Sequence, residues 1–519
     1  MPKSLLEELR LKYSPPLPVI LSDILKISFD SLDSLPTPSN IAAIFPHVTQ
    51  DKILRSYLGK EATGSPLRIG VVFSGGQAAG GHNVIAGLFD ALVKLHPQSA
   101  LLGFLDGPGG IVEGKYKELK KEEVDSYRNL GGFDLLGSGR TKIETDEQLK
   151  ASLDAMQKLK LDGLIVIGGD DSNTNSALLA EYFLKNKCET KVIGVPKTID
   201  GDLTNSCVAI SFGFDTATKT YAELIGNLAK DTISDKKYYH FIKLMGRSAS
   251  HIALECALTT HPNLVFIGEE KKSLQAIINE IVDLIITRAK LGKRFGIIVI
   301  PEGLIEFIPE ISLLIEEISK KGVEALSNPS QGVWGSLPET IQKQFLLGRD
   351  AHGNLNVSAI ATDTLLIEMV LKELKKRNFQ ESFFPVSHFF GYEGRSALPS
   401  NFDATYATAL GYAAALLVDK GYTGYMCYAS SLTDAPSKWM IGGIPITSLM
   451  HFEMRKGKNK PVIAKTLVDL KGKPYLTYLG QKEAWKTDDS YLFPGPIQFF
   501  GDKELTDTTP RIIDGKRSL

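Results

Sequence analysis

From Leu67 onward the chain repeats one pattern of apolar and polar positions. A short, fully apolar run is followed by glycines and then by apolar residues at helical spacing, as in 67–76 before 82–95 and 161–171 before 173–186. Further apolar runs lie at 191–196, 239–246 and 294–303. Apolar runs without alternation indicate strands that are buried on both faces of a parallel sheet. The pattern predicts an α/β fold of two doubly wound, three-layer domains with mainly parallel sheets.

Three segments depart from this pattern. The first 66 residues hold short amphipathic pieces separated by prolines, which predicts an N-terminal arm. Residues 304–390 contain two long stretches with apolar residues at helical spacing, which predicts an inserted helical subdomain. The polar tail from about residue 503 to Leu519 is expected to be peripheral.

Composition narrows the class of protein. The 519 residues carry a net charge of −1, which gives no indication of a nucleic-acid or anionic-membrane partner. No apolar run approaches the ~20 residues that a membrane span needs, and the acidic N-terminus does not resemble a secretory signal. The four cysteines are scattered, which argues against a disulfide framework. We therefore predict a cytoplasmic protein.

The segment SGGQAAGGHN at 74–83 places Gly75, Gly76, Gly80 and Gly81 between a predicted strand and a predicted helix. Backbone amides without side chains in the way can close around a phosphate, and the helix N-terminus favours negative charge. A glycine turn that only packs the strand against the helix is the alternative. The segment matches neither the dinucleotide fingerprint nor the P-loop.

The segment IGGDDSNTN at 167–175 places Asp170 and Asp171 where another strand ends. Two adjacent carboxylates at such a point suit Mg²⁺, which takes one or two carboxylates together with phosphate oxygens and water. The alternative is that both acids only complement the N-terminus of the following helix.

A third polar segment, GVPKTIDGDLTN at 194–205, follows the next apolar run and carries Lys197, Thr198, Asp200 and Asp202. Proline, aspartate and glycine are also the ordinary constituents of a turn. Because ligands of doubly wound folds bind at the carboxyl ends of strands, we expect the three segments to meet. A glycine cradle with acidic groups is typical of a phosphoryl-transfer site.

Six motifs then identify a family. GGQAAGG, GGDDS, PKTIDGD, MGRSASHIALECAL (245–258), PEG (301–303) and GYEGRS (391–396) stand in the order found in the phosphofructokinases. The resemblance extends from about Leu67 to beyond residue 450 and is strongest to the long, pyrophosphate-dependent branch of that family. It implies reversible, Mg²⁺-dependent transfer of a phosphoryl group from pyrophosphate to the 1-hydroxyl of fructose 6-phosphate.

The resemblance also implies roles for the residues of the three strand-end segments. Asp200 is the expected general base, Asp202 the second acid near the sugar, and Asp170 the Mg²⁺ ligand. Thr198 and Ile199 belong to the same substrate-binding turn. The groups expected to bind pyrophosphate are Gly75, Gly76, Gly80, Arg140 and Lys197.

A second set of residues is expected to bind the sugar phosphate. Arg247 is also expected to act in catalysis, although a lone arginine could equally cap a helix or pair on the surface. Lys237 and Tyr238 are expected to enter the sugar site of a neighbouring subunit, so a homodimer is implied. Tyr238 stands where shorter bacterial relatives have an arginine, and a solvated Lys-Lys run is the alternative. The matching positions within the chain are Met245, Gly246, Arg247, Glu302, Tyr392, Glu393, Gly394 and Arg395.

Two positions bear on the phosphoryl donor. ATP-using relatives usually have glycine where this chain has Asp171 and Lys197. Asp171 is expected to exclude the α-phosphate of ATP, while Lys197 fills the same space and meets the transferring group. An ATP-dependent phosphofructokinase and a non-catalytic, sugar-phosphate-binding regulatory subunit remain the alternatives.

These assignments divide the predicted fold into domains. Residues 67–212 are expected to bind pyrophosphate and Mg²⁺ and to be completed by part of 391–450. Residues 213–303 are expected to bind fructose 6-phosphate. The arm at 1–66, the helical insertion at 304–390, and the sugar-phosphate-closing segment with the C-terminal region at 391–519 complete the chain.

Overall fold

The computed structural model describes residues 2–61, 64–247, 249–347, 360–455 and 458–516. Residues 348–359 of the predicted insertion and the last three residues of the tail lie outside the described residues.

Strands and helices alternate along most of the chain. The strands are Ile27–Ser34 (β1), Lys52–Leu58 (β2), Arg68–Phe73 (β3), Ala100–Phe104 (β4), Tyr116–Leu119 (β5), Gly163–Gly168 (β6), Lys191–Pro196 (β7), Tyr238–Leu244 (β8), Leu264–Val265 (β9), Gly296–Pro301 (β10), Phe384–Phe390 (β11), Tyr425–Ser430 (β12), Met440–Pro445 (β13), Met450–Arg455 (β14) and Lys458–Ile463 (β15). The helices are Leu5–Leu11 (α1), Ser39–Ala42 (α2), Gly81–Leu95 (α3), Pro108–Glu113 (α4), Lys121–Asp125 (α5), Asp146–Leu159 (α6), Asp170–Lys185 (α7), Phe214–Asp235 (α8), His251–Thr260 (α9), Leu274–Lys290 (α10), Leu304–Phe307 (α11), Pro309–Lys321 (α12), Asn328–Ser336 (α13), Glu339–Leu347 (α14), Thr362–Lys376 (α15), Asn401–Asp419 (α16), Lys473–Thr487 (α17) and Lys503–Thr506 (α18).

The larger sheet has nine strands in the order β1-β2-β13-β12-β7-β6-β3-β4-β5. Its central strands β12, β7, β6, β3 and β4 are parallel neighbours, and the antiparallel pairs lie toward its two edges. The central strands are buried along almost their whole length, which is why their sequences are apolar without alternation. Strands β12 and β13 come from 425–445, so the C-terminal part of the chain contributes two strands to this sheet.

The smaller sheet has four parallel strands in the order β11-β8-β10-β9. The predicted α/β class with two mainly parallel sheets is therefore confirmed. Helices α11 to α15 occupy most of the described part of 304–390, as the helical spacing predicts. The last seven residues of that range differ, because 384–390 form the edge strand β11 beside β8.

The N-terminal region is more integrated than an arm. Strands β1 and β2 pair with each other, and β2 pairs with β13, so the first 66 residues extend the nine-stranded sheet. Ile27 and Leu54 are buried in the core. Since edge strands bury only one face, their sequences lack the continuous apolar run that marks the central strands.

One helix pair fixes the loop that follows β3. Helices α3 and α16 cross at glycines: a Cβ at Gly87 would lie 2.2 Å from the Thr408 carbonyl oxygen, and one at Gly411 would lie 2.3 Å from the Val84 carbonyl oxygen. This close packing anchors the N-terminal end of α3, at which the glycine segment ends.

Among the described residues, no helix is both long enough and apolar enough to cross a membrane.

Candidate active site

Three neighbouring strands of the larger sheet, β3, β6 and β7, end at the same edge and carry the three predicted segments. Hydrogen bonds tie the segments together. Ser172 Oγ donates to Ser74 Oγ at 2.8 Å, and the Lys197 amide donates to the Gly168 carbonyl at 3.0 Å. The segments therefore form one continuous surface, as their positions in the sequence predict.

The first glycine loop faces basic side chains. A Cβ at Gly75, where φ is +87°, would lie 3.4 Å from Lys197 Nζ. A Cβ at Gly76 would lie 2.8 Å from Arg395 Nη1 and 3.9 Å from Arg140 Nη2. Because these glycines have no side chains, the loop amides and three cationic side chains can surround a single space. Such a space suits a phosphate.

Gly80 has a different role in the same loop. Its φ is +113°, and it precedes α3. A Cβ at this position would lie 3.0 Å from Phe212 Cδ2 and 3.1 Å from Ala407 Cβ. Gly80 therefore serves close packing of the helix, which is the alternative that the sequence left open for this loop.

Lys197 lies at the base of the loop with only 6% of its surface exposed. Burial and the nearby Arg395 guanidinium lower the pKa of Lys197 to about 8. The carboxylates of Asp200 and Asp170 act in the opposite direction, because they favour the ammonium. The structure thus brings Lys197, Arg140, Arg395, Asp170 and Asp200 together.

The turn after β7 is built to hold Asp200. The Asp200 amide donates to Thr198 Oγ1 at 3.0 Å. Gly201 has φ +73°, and a Cβ there would lie 2.9 Å from the Phe214 ring, so only glycine suits this position. The Ile199 side chain is buried in the core, which leaves its backbone as the part that can face a substrate.

Asp202 belongs to an acidic cluster. Burial and the neighbouring Asp200 carboxylate raise the pKa of Asp202 to about 7, and Asp170 contributes in the same direction. Lys465 partly offsets this charge: its Nζ lies 3.7 Å from Asp202 Oδ2 and 3.8 Å from Asp170 Oδ2. Lys465 was not found from the sequence, because it follows β15 far along the chain and matches no phosphate-binding pattern.

The acidic cluster fits a divalent cation. Asp170 begins α7, and it shares the Lys465 ammonium with Asp202, so the two carboxylates lie close to one another. Within the described ranges, no group of three or more His, Cys, Asp or Glu side chains is arranged to cage a metal ion. Mg²⁺ needs only one or two carboxylates when phosphate oxygens and water complete its shell, so this donor set suits it.

Asp171 lies beside Asp170 but forms an ion pair with Lys142, whose Nζ is 3.0 Å from Asp171 Oδ1. The Asp171 side chain is 39% exposed. Lys142 is a second basic residue that the sequence did not reveal, and it stands two positions after Arg140.

The sugar-side residues gather at the carboxyl ends of β8 and β10. The Gly246 amide donates to Glu302 Oε2 at 2.9 Å, which ties the MGR segment to the PEG segment. A Cβ at Gly303 would lie 2.1 Å from the Arg247 carbonyl oxygen, so the two segments are in close contact. The Arg247 side chain is exposed. It is close enough to Lys465 and Glu306 for its positive charge to act on both by Coulombic interaction.

The GYEGR segment after β11 brings Arg395 to the boundary between the two sets of residues. Arg395 Nε donates to Met245 Sδ at 3.1 Å, and its Nη1 donates to the Gln77 carbonyl at 3.3 Å. Tyr221 fixes the segment by donating to the Gly391 carbonyl at 2.5 Å. Two members of the segment differ in exposure, since Gly394 packs against the Tyr221 ring and Tyr392 is 75% exposed.

Lys237 and Tyr238 lie apart from this site. They stand at the start of β8, whereas Met245 follows its end, and seven strand residues span roughly 20 Å. Lys237 Nζ lies 5.0 Å from the centre of the Tyr238 ring and 5.2 Å from that of Phe384. Within one chain these residues therefore do not join the other sugar-side residues.

The chain is similar to known proteins along most of its length. The phosphofructokinase family model matches residues 68–418. The chain is 47% identical to the pyrophosphate–fructose 6-phosphate 1-phosphotransferase of Entamoeba histolytica over 99% of each chain. It is also 47% identical to subunit beta 2 of the Arabidopsis thaliana protein of that name, over 95% of this chain and 90% of the relative.

A solved structure shows the same fold. The pyrophosphate-dependent phosphofructokinase from Nitrosospira multiformis superposes with a TM-score of 0.57 over 82% of this chain and 93% of its own, at 16% identity. The match to the family model and the near full-length relatives lead to one conclusion: the chain belongs to the phosphofructokinase family.

Proposed function

We propose that the protein catalyses reversible phosphoryl transfer from pyrophosphate to the 1-hydroxyl of fructose 6-phosphate, giving fructose 1,6-bisphosphate and phosphate. The names and near full-length similarity of its relatives support this reaction. The observation that carries it in the structure is the buried Lys197, which lies against Gly75 and close to Asp200.

The chemistry follows from the position of Asp200 at the tip of a constrained turn. Asp200 accepts the proton of the sugar 1-hydroxyl while that oxygen attacks the phosphorus in line. The new bond joins the sugar oxygen to phosphorus, and the bond to the bridging oxygen breaks to release phosphate. Lys197 neutralises charge on the transferring group, and Arg140 with the Gly75 and Gly76 amides holds the donor.

Asp170, with Asp202 close by, would hold Mg²⁺. When bound, the cation supplies neutralisation of the pyrophosphate charge and orientation of its oxygens. Lys465 contributes a further positive charge from the protein, because it lies within 4 Å of both carboxylates.

The sugar phosphate is proposed to lie along the MGR, PEG and YEGR segments. Glu302, which fixes the Gly246 amide, is proposed to accept hydrogen bonds from sugar hydroxyls. Arg247, Arg395 and the segment from Tyr392 to Gly394 would close on the sugar and its 6-phosphate, with arginine forks for the oxygens.

A homodimer with shared sugar sites is the proposed assembly. Lys237 and Tyr238 lie at the far end of β8 from Met245, so they can serve a sugar site only in another subunit. The adjacent edge strand β11 is only partly covered, and Phe384 and Phe389 on it are 44% and 42% exposed. Subunit names among the relatives also point to assemblies of more than one chain.

We further propose the sequence-based domain division, with donor binding at 67–212 and sugar binding at 213–303, and a cytoplasmic location. The four free cysteines are buried, which suits a reducing compartment.

The reaction is tested by a choice of donor. With fructose 6-phosphate and Mg²⁺, pyrophosphate should support formation of fructose 1,6-bisphosphate at least ~10²-fold better than ATP. Product is measured with each donor at matched concentrations. Turnover with ATP alone would identify an ATP-dependent enzyme, and no turnover with either donor would identify a non-catalytic sugar-phosphate-binding subunit.

Arg395 gives a prediction about substrate binding. Because its guanidinium joins Met245 on the sugar side to Gln77 in the donor loop, Arg395→Ala should raise KM for both substrates about tenfold, the loss typical of one charge-assisted hydrogen bond. Steady-state kinetics with each substrate varied in turn measure both constants. Arg294→Ala, which removes an exposed arginine paired with Glu381, is the control. An increase confined to one substrate would contradict the bridging position.

A further inference from the structure

One short segment near the C-terminus contacts both sides of the candidate site. It covers residues 464–468, directly after the β14–β15 hairpin, and we call it the bridging segment. On the donor side, the Thr466 amide donates to the Asp202 carbonyl at 2.7 Å, and Thr466 Oγ1 donates to the Thr204 carbonyl at 2.8 Å. The bridging segment is therefore fixed to the turn that carries Asp200.

The bridging segment is also held by the part of the chain that follows the MGR motif. His251 Nε2, at the start of α9, donates to the Thr466 carbonyl at 2.9 Å. Glu269 Oε1 accepts a hydrogen bond from the Val468 amide at 2.9 Å. Because these bonds fix the backbone next to Lys465, the root of the Lys465 side chain has a defined position.

Helix α9 is itself supported by the C-terminal tail. Glu255 on this helix accepts hydrogen bonds from the Arg511 amide at 2.8 Å and the Ile512 amide at 2.7 Å. Ile512 and Ile513 are buried, so this part of the tail is docked in the core and is not peripheral as the sequence suggests. The helix that carries His251 is therefore packed firmly against the rest of the chain.

Lys465 extends from the bridging segment to two carboxylates of the donor site. Its Nζ is 3.7 Å from Asp202 Oδ2 and 3.8 Å from Asp170 Oδ2. Both distances exceed the about 2.7–3.2 Å of a direct hydrogen bond. The Asp202 side chain is only 8% exposed, so water screens these charges less than it does at the surface. The ammonium therefore attracts both carboxylates and offsets the repulsion between them.

We propose that Lys465 is a positioning residue: in the protein without substrate, its ammonium holds Asp170 and Asp202 and competes with divalent cations for them. The inference deepens the proposed function and rests on it for the pyrophosphate donor. Two carboxylates that share an ammonium bind a further cation weakly, because the like charges repel. The phosphate oxygens of the donor supply the additional ligands and negative charge that Mg²⁺ needs. Cation binding is thereby made dependent on the donor.

Removal of this ammonium should strengthen cation binding to the protein without substrate. In Lys465→Met the side chain keeps a similar length, but the positive charge near Asp170 and Asp202 is lost. A divalent cation then meets the same two carboxylates and one fewer like charge, so its dissociation constant should fall about tenfold or more. Loss of a residue that only packs the segment would leave the affinity unchanged or weaken it.

Titration with Mn²⁺ tests the proposal, because Mn²⁺ takes carboxylate ligands as Mg²⁺ does and the free ion is measured by electron paramagnetic resonance. No pyrophosphate or sugar phosphate is added. Lys465→Met and Lys465→Gln should both bind Mn²⁺ about tenfold or more tightly than the wild type, whereas Lys465→Arg, which keeps the cation, should bind it as the wild type does. Adding Asp202→Asn to Lys465→Met should abolish the gain. Lys471→Met, which removes an exposed lysine six positions further on, is the control.

Equal Mn²⁺ affinity in the wild type and both neutral variants, weaker binding in those variants, or no binding in any of the proteins would overturn the proposal. A gain that persists after Asp202→Asn would also overturn it, since the cation would then be bound elsewhere. The titration contains no phosphoryl donor, so its result does not depend on which donor the enzyme uses. Turnover with ATP in place of pyrophosphate would change the proposed function and leave the Mn²⁺ result as it is.

Discussion

Replacing Asp200 with asparagine should lower kcat by ~10²–10⁴, while KM for fructose 6-phosphate and for pyrophosphate changes little. The substitution keeps the size of the side chain and the Asp200 amide that donates to Thr198 Oγ1, so the turn should hold its shape. What is lost is the group that we propose accepts the proton of the 1-hydroxyl during attack. Because a general base acts mainly in the transition state, its removal should lower kcat and leave KM nearly unchanged.

Steady-state kinetics on purified Asp200→Asn measure both constants. Asp154→Asn on the exposed face of α6 is the matched control, and its kcat should equal that of the wild type. A variant at Asp200 with unchanged kcat would remove this residue as the base. A rise in KM with unchanged kcat would instead assign Asp200 to uniform substrate binding.

Local sequence patterns predict the central sheet and the three strand-end segments well. Strands β3, β6 and β7 are apolar throughout because both of their faces are buried, and this makes them recognisable without tertiary information. Their neighbouring positions in the parallel sheet then place the glycine loop, the two aspartates and the turn that carries Asp200 at one edge.

The edge strands illustrate why prediction fails elsewhere in the fold. Strand β11 carries Pro385, and proline is tolerated at sheet edges because the missing N–H costs no ladder bond there. Its half-exposed pattern resembles neither a buried strand nor a helix. The sequence therefore does not mark it as a strand, and the predicted helical insertion includes it. Strands β1 and β2 lie in a proline-containing region in the same way, so the sequence pattern does not distinguish them from an arm.

Residues that reach the site from distant segments could not be predicted. Lys465 follows the β14–β15 hairpin, and no local pattern links it to Asp170 and Asp202. Lys142 comes from the loop before α6, and its link to Asp171 depends on how that loop folds over α7. In both cases the two residues are far apart in the chain and come into contact only in the folded structure. The spacing of residues in a single sequence does not reveal such contacts.

The donor preference is expected to depend most strongly on Asp171. Asp171→Gly should raise turnover with ATP by ~10²-fold or more, since removing a carboxylate about 5 Å from a phosphate relieves a few kcal/mol at an effective dielectric constant near 20. Removal of the side chain also opens the space that an α-phosphate needs. The substitution releases Lys142 from its 3.0 Å ion pair, which adds a cation for the longer phosphate chain.

Three further variants separate charge, space and helix stability in this switch. Asp171→Asn removes the charge and keeps the volume, so an increase in ATP use in this variant reflects electrostatic exclusion.

Lys197→Gly should mostly lower turnover with pyrophosphate, because the buried ammonium near Gly75 and Asp200 would no longer neutralise charge on the transferring group. Glycine in the first turn of α7 costs about 1 kcal/mol of helix stability, so thermal unfolding of Asp171→Gly and Asp171→Ala is compared. Rates with ATP and with pyrophosphate are measured for each variant and for the Asp171→Gly, Lys197→Gly pair. If ATP remains as poor a donor in Asp171→Gly as in the wild type, the donor is selected by other groups in the pocket and not by this carboxylate.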